Sequence, residues 1–260
     1  MRRFPVRIGV CAPLQQAHLV AELGFDFIEP QVAGMMQAYP SEAEFNAVRR
    51  ELEVSGIRAE AFNVFLPADL KVVGPDARYH ELRAYVERAF ARIEALGGQI
   101  VVFGSGPSRQ IPEGFARDRA LEQLREFLAM AGPLAGRHGI EIAIEALPTC
   151  NAIRTVSEAV ALARDVNHSA VKVLSDFGHV ITGGEPLTHV AYAAPDLVHV
   201  HLRDRGGGPP GTGDFDYPTY FRLLKQVRYR GRLSIECRWA DLAAQARAAI
   251  AFVRRHWEQA

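Results

Sequence analysis

Short apolar runs alternate along this chain with longer stretches in which apolar residues return every three or four positions. The short runs fall at residues 6–11, 25–30, 57–64, 99–104, 140–147, 171–176, 197–202 and 232–237. They are hydrophobic almost without interruption, as strands covered on both faces are. The longer stretches read as amphipathic helices. Leu121, Leu124, Leu128 and Ala131 make one apolar stripe, Tyr85, Val86, Phe90 and Ile93 another, and Leu242, Ala246, Ile250 and Val253 a third. Thr155 with Glu158 three residues on predicts a capping box at a helix start. Glycines 24, 56, 98, 139 and 231 stand just before strands, where a left-handed residue ends the preceding helix.

Strand and helix alternate through the whole chain with no linker, low-complexity tract or charge block, so βαβ units and a parallel sheet are expected. Eight such repeats in 260 residues match the roughly 250 residues of a closed barrel. The predicted architecture is α/β, a (β/α)8 TIM barrel forming a single domain over residues 1–260. An open, doubly wound sheet is the alternative.

Active sites of such barrels lie at the C-terminal ends of the strands. Here Glu29 ends the second run, Asn63 comes late in the third, and Glu145, Asp176, His201 and Glu236 come at or near the ends of the fifth to eighth. Three carboxylates facing one another repel and resist joint ionisation. A divalent cation removes that conflict, and a mixed oxygen and nitrogen donor set suits Mn2+, Co2+, Mg2+ or Zn2+, of which we rank Mn2+ first. Glu29 taken alone reads as readily as a structural residue, a helix cap or an arginine partner, as it does as a member of the site. His199 shares a strand face with His201, and the deeper of the two is expected to be a hydrogen-bonded core residue. Arg109, Arg203, Arg205 and Arg238 lie on or beside the same rim and are candidates for a substrate phosphate or carboxylate, with Arg109 and Asn63 placed among the substrate contacts.

Composition narrows the class of partner. Thirty Lys and Arg balance thirty Asp and Glu, which speaks against a nucleic-acid partner. No apolar run approaches the roughly 20 residues of a membrane span. Residues 1–5 lead into the first strand without a signal-peptide pattern, and three cysteines are too few for a disulfide framework, so a cytoplasmic protein is expected.

Five segments taken in order resemble the xylose-isomerase-like barrel superfamily, in its sugar phosphate isomerase/epimerase branch. They are Val102-Phe-Gly-Ser-Gly-Pro-Ser-Arg109, Ile144-Glu-Ala-Leu147, Asp176-Phe-Gly-His179, His199-Val-His201 with Pro210-Gly-Thr-Gly213, and Ser234-Ile-Glu236. The resemblance places Glu145, Asp176, His201 and Glu236 at the four metal-ligand positions and His179 against substrate oxygens. It gives Glu145 and Glu236 a second duty as the proton-exchanging pair, and it makes a homo-oligomer an expectation. Two features depart from the ketose 3-epimerases of that branch. Gly207 stands where they carry an arginine, and the stretch Ala146-Leu-Pro-Thr-Cys-Asn151 is shortened and lacks their further acid.

The implied activity is metal-dependent isomerisation or epimerisation of a small sugar-like hydroxy-carbonyl compound through a metal-stabilised enediolate. An inosose-type dehydratase on the same site is the first alternative. An apurinic-endonuclease-like hydrolase and a non-catalytic sugar-binding barrel are the others. The endonuclease reading requires extra histidines where this chain has Asn63, Gly104 and Asp214-Phe-Asp216.

Overall fold

The computed structural model describes residues 6–260, so residues 1–5 and the expectation about their signal pattern lie outside the described residues. Eight parallel strands form: β1 (Arg7–Cys11), β2 (Phe27–Glu29), β3 (Ala61–Phe62), β4 (Ile100–Phe103), β5 (Glu141–Glu145), β6 (Val171–Asp176), β7 (Leu197–Leu202) and β8 (Arg232–Ile235). They are hydrogen-bonded in the order β2-β1-β8-β7-β6-β5-β4-β3. Single bridges between Ile28 and Ala59 and between Gln31 and Asn63 link β2 to β3 and bring the sheet nearly full circle. This is the expected (β/α)8 barrel. β3 is far shorter than its apolar run, because residues 57–64 meet β2 only at those isolated bridges.

Helices wrap the outside and bury the stripes read from the sequence: Leu124, Leu128 and Ala131 in Arg117–Arg137, and Ala246, Ile250 and Val253 in Leu242–Gln259. The Thr155 hydroxyl accepts from Glu158 N at 3.1 Å while the Glu158 carboxylate accepts from Thr155 N at 3.2 Å, which completes the predicted box. Gly56 and Gly139 take left-handed φ values of 73° and 65°, as expected. Before β4 and β8 the expectation is corrected. Gly97 and Arg228 take the positive φ there. Gly98 and Gly231 instead make room, since a Cβ on Gly98 would stand 2.4 Å from Ile93 Cγ2.

The barrel interior has three levels. Phe27, Ala61, Ile100, Val102, Ala143 and Leu174 pack as an apolar plug separate from the outer core. Gly9 leaves space for the Phe27 ring, 2.3 Å from where its Cβ would be. At the strand starts, the buried Glu60 carboxylate accepts from Arg7 Nη1 at 2.9 Å and Arg232 Nε at 2.7 Å, a charged floor. At the strand ends the interior turns acidic and imidazole-bearing.

Candidate metal centre

Parallel pairing sets Leu174 beside both Glu145 and His199, and Asp176 beside His201. Side chains alternate along a strand, so these residues share the inward face in two successive layers. Glu236 follows β8 two residues beyond Ser234, itself the partner of His201. The sequence therefore carries all four to one place: ligand atoms of Glu145, Asp176, His201 and Glu236 lie within 4.8 Å of one another.

Their electrostatics show an incomplete set. Burial raises the Asp176 carboxyl above its usual range against the pull of His179 and Arg203. Glu236 is held below the carboxylate range despite burial, because His201 faces it at 3.1 Å. Burial disfavours the His201 imidazolium, yet Glu29 and Glu236 hold its pKa well above the ordinary value. Glu145 Oε1 and Asp176 Oδ2 are buried without a hydrogen-bond partner among the described residues. Two orphaned carboxylate oxygens beside an imidazole and a third carboxylate are a donor set that fits a divalent cation.

Around the four, supporting side chains fix their aim. Glu29 reaches across the barrel and accepts from His199 Nε2 and His201 Nε2, both at 2.8 Å. Burial opposes its charge, but the two imidazoles outweigh it and hold Glu29 far below the carboxylate range. With Nε2–H engaged, His201 presents Nδ1 to the cluster, the arrangement in which a carboxylate sets the tautomer of a ligating histidine. His199 is the core histidine of the pair, packed 6.4 Å from Phe27 between ring centroids. Asn63 Nδ2 donates to Glu236 Oε1 at 3.0 Å. Its neighbour Val64 has φ 44° and Ser105 has φ 21°, and such strain on non-glycine residues concentrates at functional sites.

The arginines depart from expectation. Arg109 does not line the mouth. It is fully buried, donates to the main-chain oxygen of Glu145 and stacks over Phe103 at 5.3 Å. Its pull is on the end of β5, so the substrate contact expected of it is corrected to a support. Arg205 pairs with Asp214 at 2.7 Å, Arg238 donates to the Gly206 carbonyl, and Arg203 donates to His179 Nδ1 at 2.7 Å. All of these arginines are thus engaged within the protein. Burial pushes the Cys11 thiol well up and Cys237 up to about 12, and Cys11 lies with Glu29 and His201 in a second group whose ligand atoms are within 4.8 Å of one another.

A cavity of about 800 Å³ opens over the cluster, walled by Gln31, Val64, Glu145, His179, Arg203 and Glu236 among others. A neighbouring one of about 440 Å³ shares Glu236 and continues past Asn63 to Leu14 and Tyr39. Glu145 lies against Gly104, where an added Cβ would meet Oε2 at 2.1 Å. Gly104→Ala is accordingly expected to push the carboxylate aside and weaken metal binding by about tenfold or more, in the range of changes next to ligands. Calorimetric titration with Mn2+ checks this, and unchanged affinity would show that Glu145 is free to settle elsewhere.

A family model described as a xylose isomerase-like TIM barrel matches residues 17–256. The chain belongs to that family. Within it, L-ribulose 3-epimerase of Methylomonas sp. (strain DH-1) is 26% identical over 230 residues, which are 83% of this chain and 75% of that one. The 3-dehydro-D-guloside 4-epimerase of Escherichia coli (strain K12) is 25% identical over 184 residues, 65% and 69% of the two chains. Among solved structures, D-psicose 3-epimerase in the presence of D-fructose superposes with a TM-score of 0.85 at 21% identity over 97% of this chain and 99% of that one. The curated relatives of this family member are sugar epimerases.

Sequence reading placed Glu29 and Arg203 at the rim but missed the contacts that each makes there. Glu29 was visible as a strand-end acid, but β2 and β7 are not neighbours, and no local pattern shows that it faces the histidines. Arg203, two residues past His201 and therefore on the same side of the strand, carried the only local signal pointing toward His179.

Proposed function

We propose that this chain is a metal-dependent sugar epimerase or isomerase, using Glu145, Asp176, His201 and Glu236 as ligands and Glu145 and Glu236 as the proton-transfer pair. The observation that carries the reading is the meeting of three carboxylates and one imidazole within 4.8 Å, two of the carboxylate oxygens lacking a hydrogen-bond partner among the described residues. A divalent cation held there supplies Lewis acidity toward a substrate carbonyl. Mn2+ is our first choice, ahead of Co2+, Mg2+ and Zn2+. His179 and Asn63 border the reacting oxygens and orient them. One glutamate takes the proton from the carbon beside the carbonyl and the other returns one, to the opposite face for epimerisation or to the neighbouring carbon for isomerisation.

The named epimerase relatives support a small sugar or sugar derivative as substrate. Three free cysteines and the absence of any described helix long and apolar enough to cross a membrane are consistent with a cytoplasmic location. A three-metal hydrolase finds no support at the third and fourth strands. Asn63 there is spent on Glu236, and Gly104 offers only the space that Glu145 fills.

The test is metal analysis followed by a panel of ketoses, aldoses and inososes in deuterated water. One metal per chain and deuterium gained at the carbon next to a carbonyl are expected, both lost on chelation. Sugar binding without exchange would reduce the protein to a binding module. Loss of water from an inosose would make it a lyase.

A further inference from the structure

His179 sits in the first turn of the short helix Phe177–Thr182, its main-chain N–H bonded to Asp176 Oδ1 at 2.8 Å. Its ring is gripped from one side only. Arg203 Nη2 lies 2.7 Å from Nδ1. A guanidinium has donors and no acceptor, so Nδ1 must offer its lone pair and the ring proton belongs on Nε2. Nε2 in turn looks toward Glu145 Oε1 at 3.7 Å and Asp176 Oδ2 at 3.8 Å, beyond hydrogen-bond length, with the ring on the wall of the 800 Å³ cavity. The Nε2 proton therefore stands free to meet an oxygen atom placed at the cluster.

Arg203 is itself fixed twice. Its Nε lies 3.4 Å from Asp176 Oδ1, the oxygen that caps His179 N. Its stem crosses the face of Gly178, where an added Cβ would stand 2.4 Å from Nε and 2.6 Å from Cγ. The glycine in Asp176-Phe-Gly-His179 has an ordinary helical place, so its small size is explained by the passage of this side chain.

We propose that Arg203 is a positioning residue which locks His179 in the Nε2–H tautomer, making His179 an obligate hydrogen-bond donor to a substrate oxygen, with Gly178 as the channel that lets the guanidinium reach it. The ligand recognised at this point is an oxygen acceptor, a carbonyl or hydroxyl, and an ammonium group at the same position is refused because both partners would then be donors. The donor role rests on the sugar-epimerase reading, whereas the tautomer does not.

The experiment is long-range proton–nitrogen correlation on the full chain with nitrogen-15 histidine, metal-free and saturated with diamagnetic Mg2+. His179→Gln identifies the signals of that ring among the nine histidines. In the unaltered protein His179 should show a protonated Nε2 and a bare, accepting Nδ1. Arg203→Met should move the two nitrogens toward a mixture of tautomers and lower kcat by about 10- to 100-fold, the usual scale for a partner behind a site residue. Arg203→Lys, which keeps a donor, should restore most of the tautomer and the rate. Gly178→Ala should behave like Arg203→Met although the arginine is still present. His179 signals that stay in place in both Arg203→Met and Gly178→Ala, or a protonated Nδ1 in the unaltered protein, would overturn the proposal. Should Arg203→Met fail to fold, Arg203→Lys and Gly178→Ala report the same signals. A tautomer that shifts as stated in a protein that exchanges no deuterium into any sugar would sink the functional reading and leave the role of Arg203 standing.

Discussion

Glu236→Gln is expected to cut turnover of the metal-loaded protein by about 10²- to 10⁴-fold, the contribution of a positioned acid or base. The amide keeps the shape of the side chain and an oxygen that can still accept from Asn63 Nδ2, now 3.0 Å from Glu236 Oε1. What it loses is the ability to carry a proton. Glu145→Gln should cost a similar factor, and the two variants should differ in isotope exchange. The Glu236 side chain is 28% exposed and that of Glu145 only 6%. Solvent deuterium therefore enters through Glu236 first, so Glu145→Gln retains slow wash-in at one face of the substrate carbon while Glu236→Gln loses it. Single-turnover assays in deuterated water, with metal content and thermal melting measured alongside, check both claims. Near-normal turnover in either variant, with metal still bound, would end its assignment to proton transfer.

Removing the buried acid behind the cluster should instead show up in stability. Glu29→Leu leaves two buried imidazoles without their acceptor, and breaking a buried pair by deleting one partner costs about 3–5 kcal/mol. The pH dependence has a definite sign. Burial would raise the Glu29 carboxyl, but His201 and His199 outweigh it and depress the folded pKa. An unfolded glutamate titrates near about 4.3. The stabilisation from Glu29 is thus fully present above that value and is lost as pH falls from there toward the lower folded pKa. Urea midpoints measured between neutral pH and pH 3 should fall for the unaltered protein, and this component of the fall should be missing in Glu29→Leu. Identical acid limbs in both proteins would mean that the carboxylate is not bound by the imidazoles in solution.

Most of the architecture could be read from the chain because a barrel strand is apolar on both sides and its helix is apolar on one, so two periods suffice to separate them. β6 and β7 fall where the pattern put them, since each is paired on both sides, β6 with β5 and β7, and β7 with β6 and β8. β3 did not, because pairing across the closing seam depends on neighbours more than thirty residues away. Glu145, Asp176, His201 and Glu236 were legible for a related reason: four runs in succession carry an acid or an imidazole at or near their C-terminal ends. The side chains that aim them were not. Arg109 looked like a mouth residue from its place after β4, yet the chain folds it inward beneath the β5 backbone. The partnership of Glu29 with His199 and His201 spans 170 residues or more and exists only once the barrel closes.

The charged floor at Glu60 gives this barrel a division of labour. Arg7 and Arg232 fasten the strand starts to one carboxylate, with the plug of Phe27 and Leu174 between that fastening and the reacting end. The staves are thus held together from the end of the barrel opposite the Glu145, Asp176, His201 and Glu236 cluster.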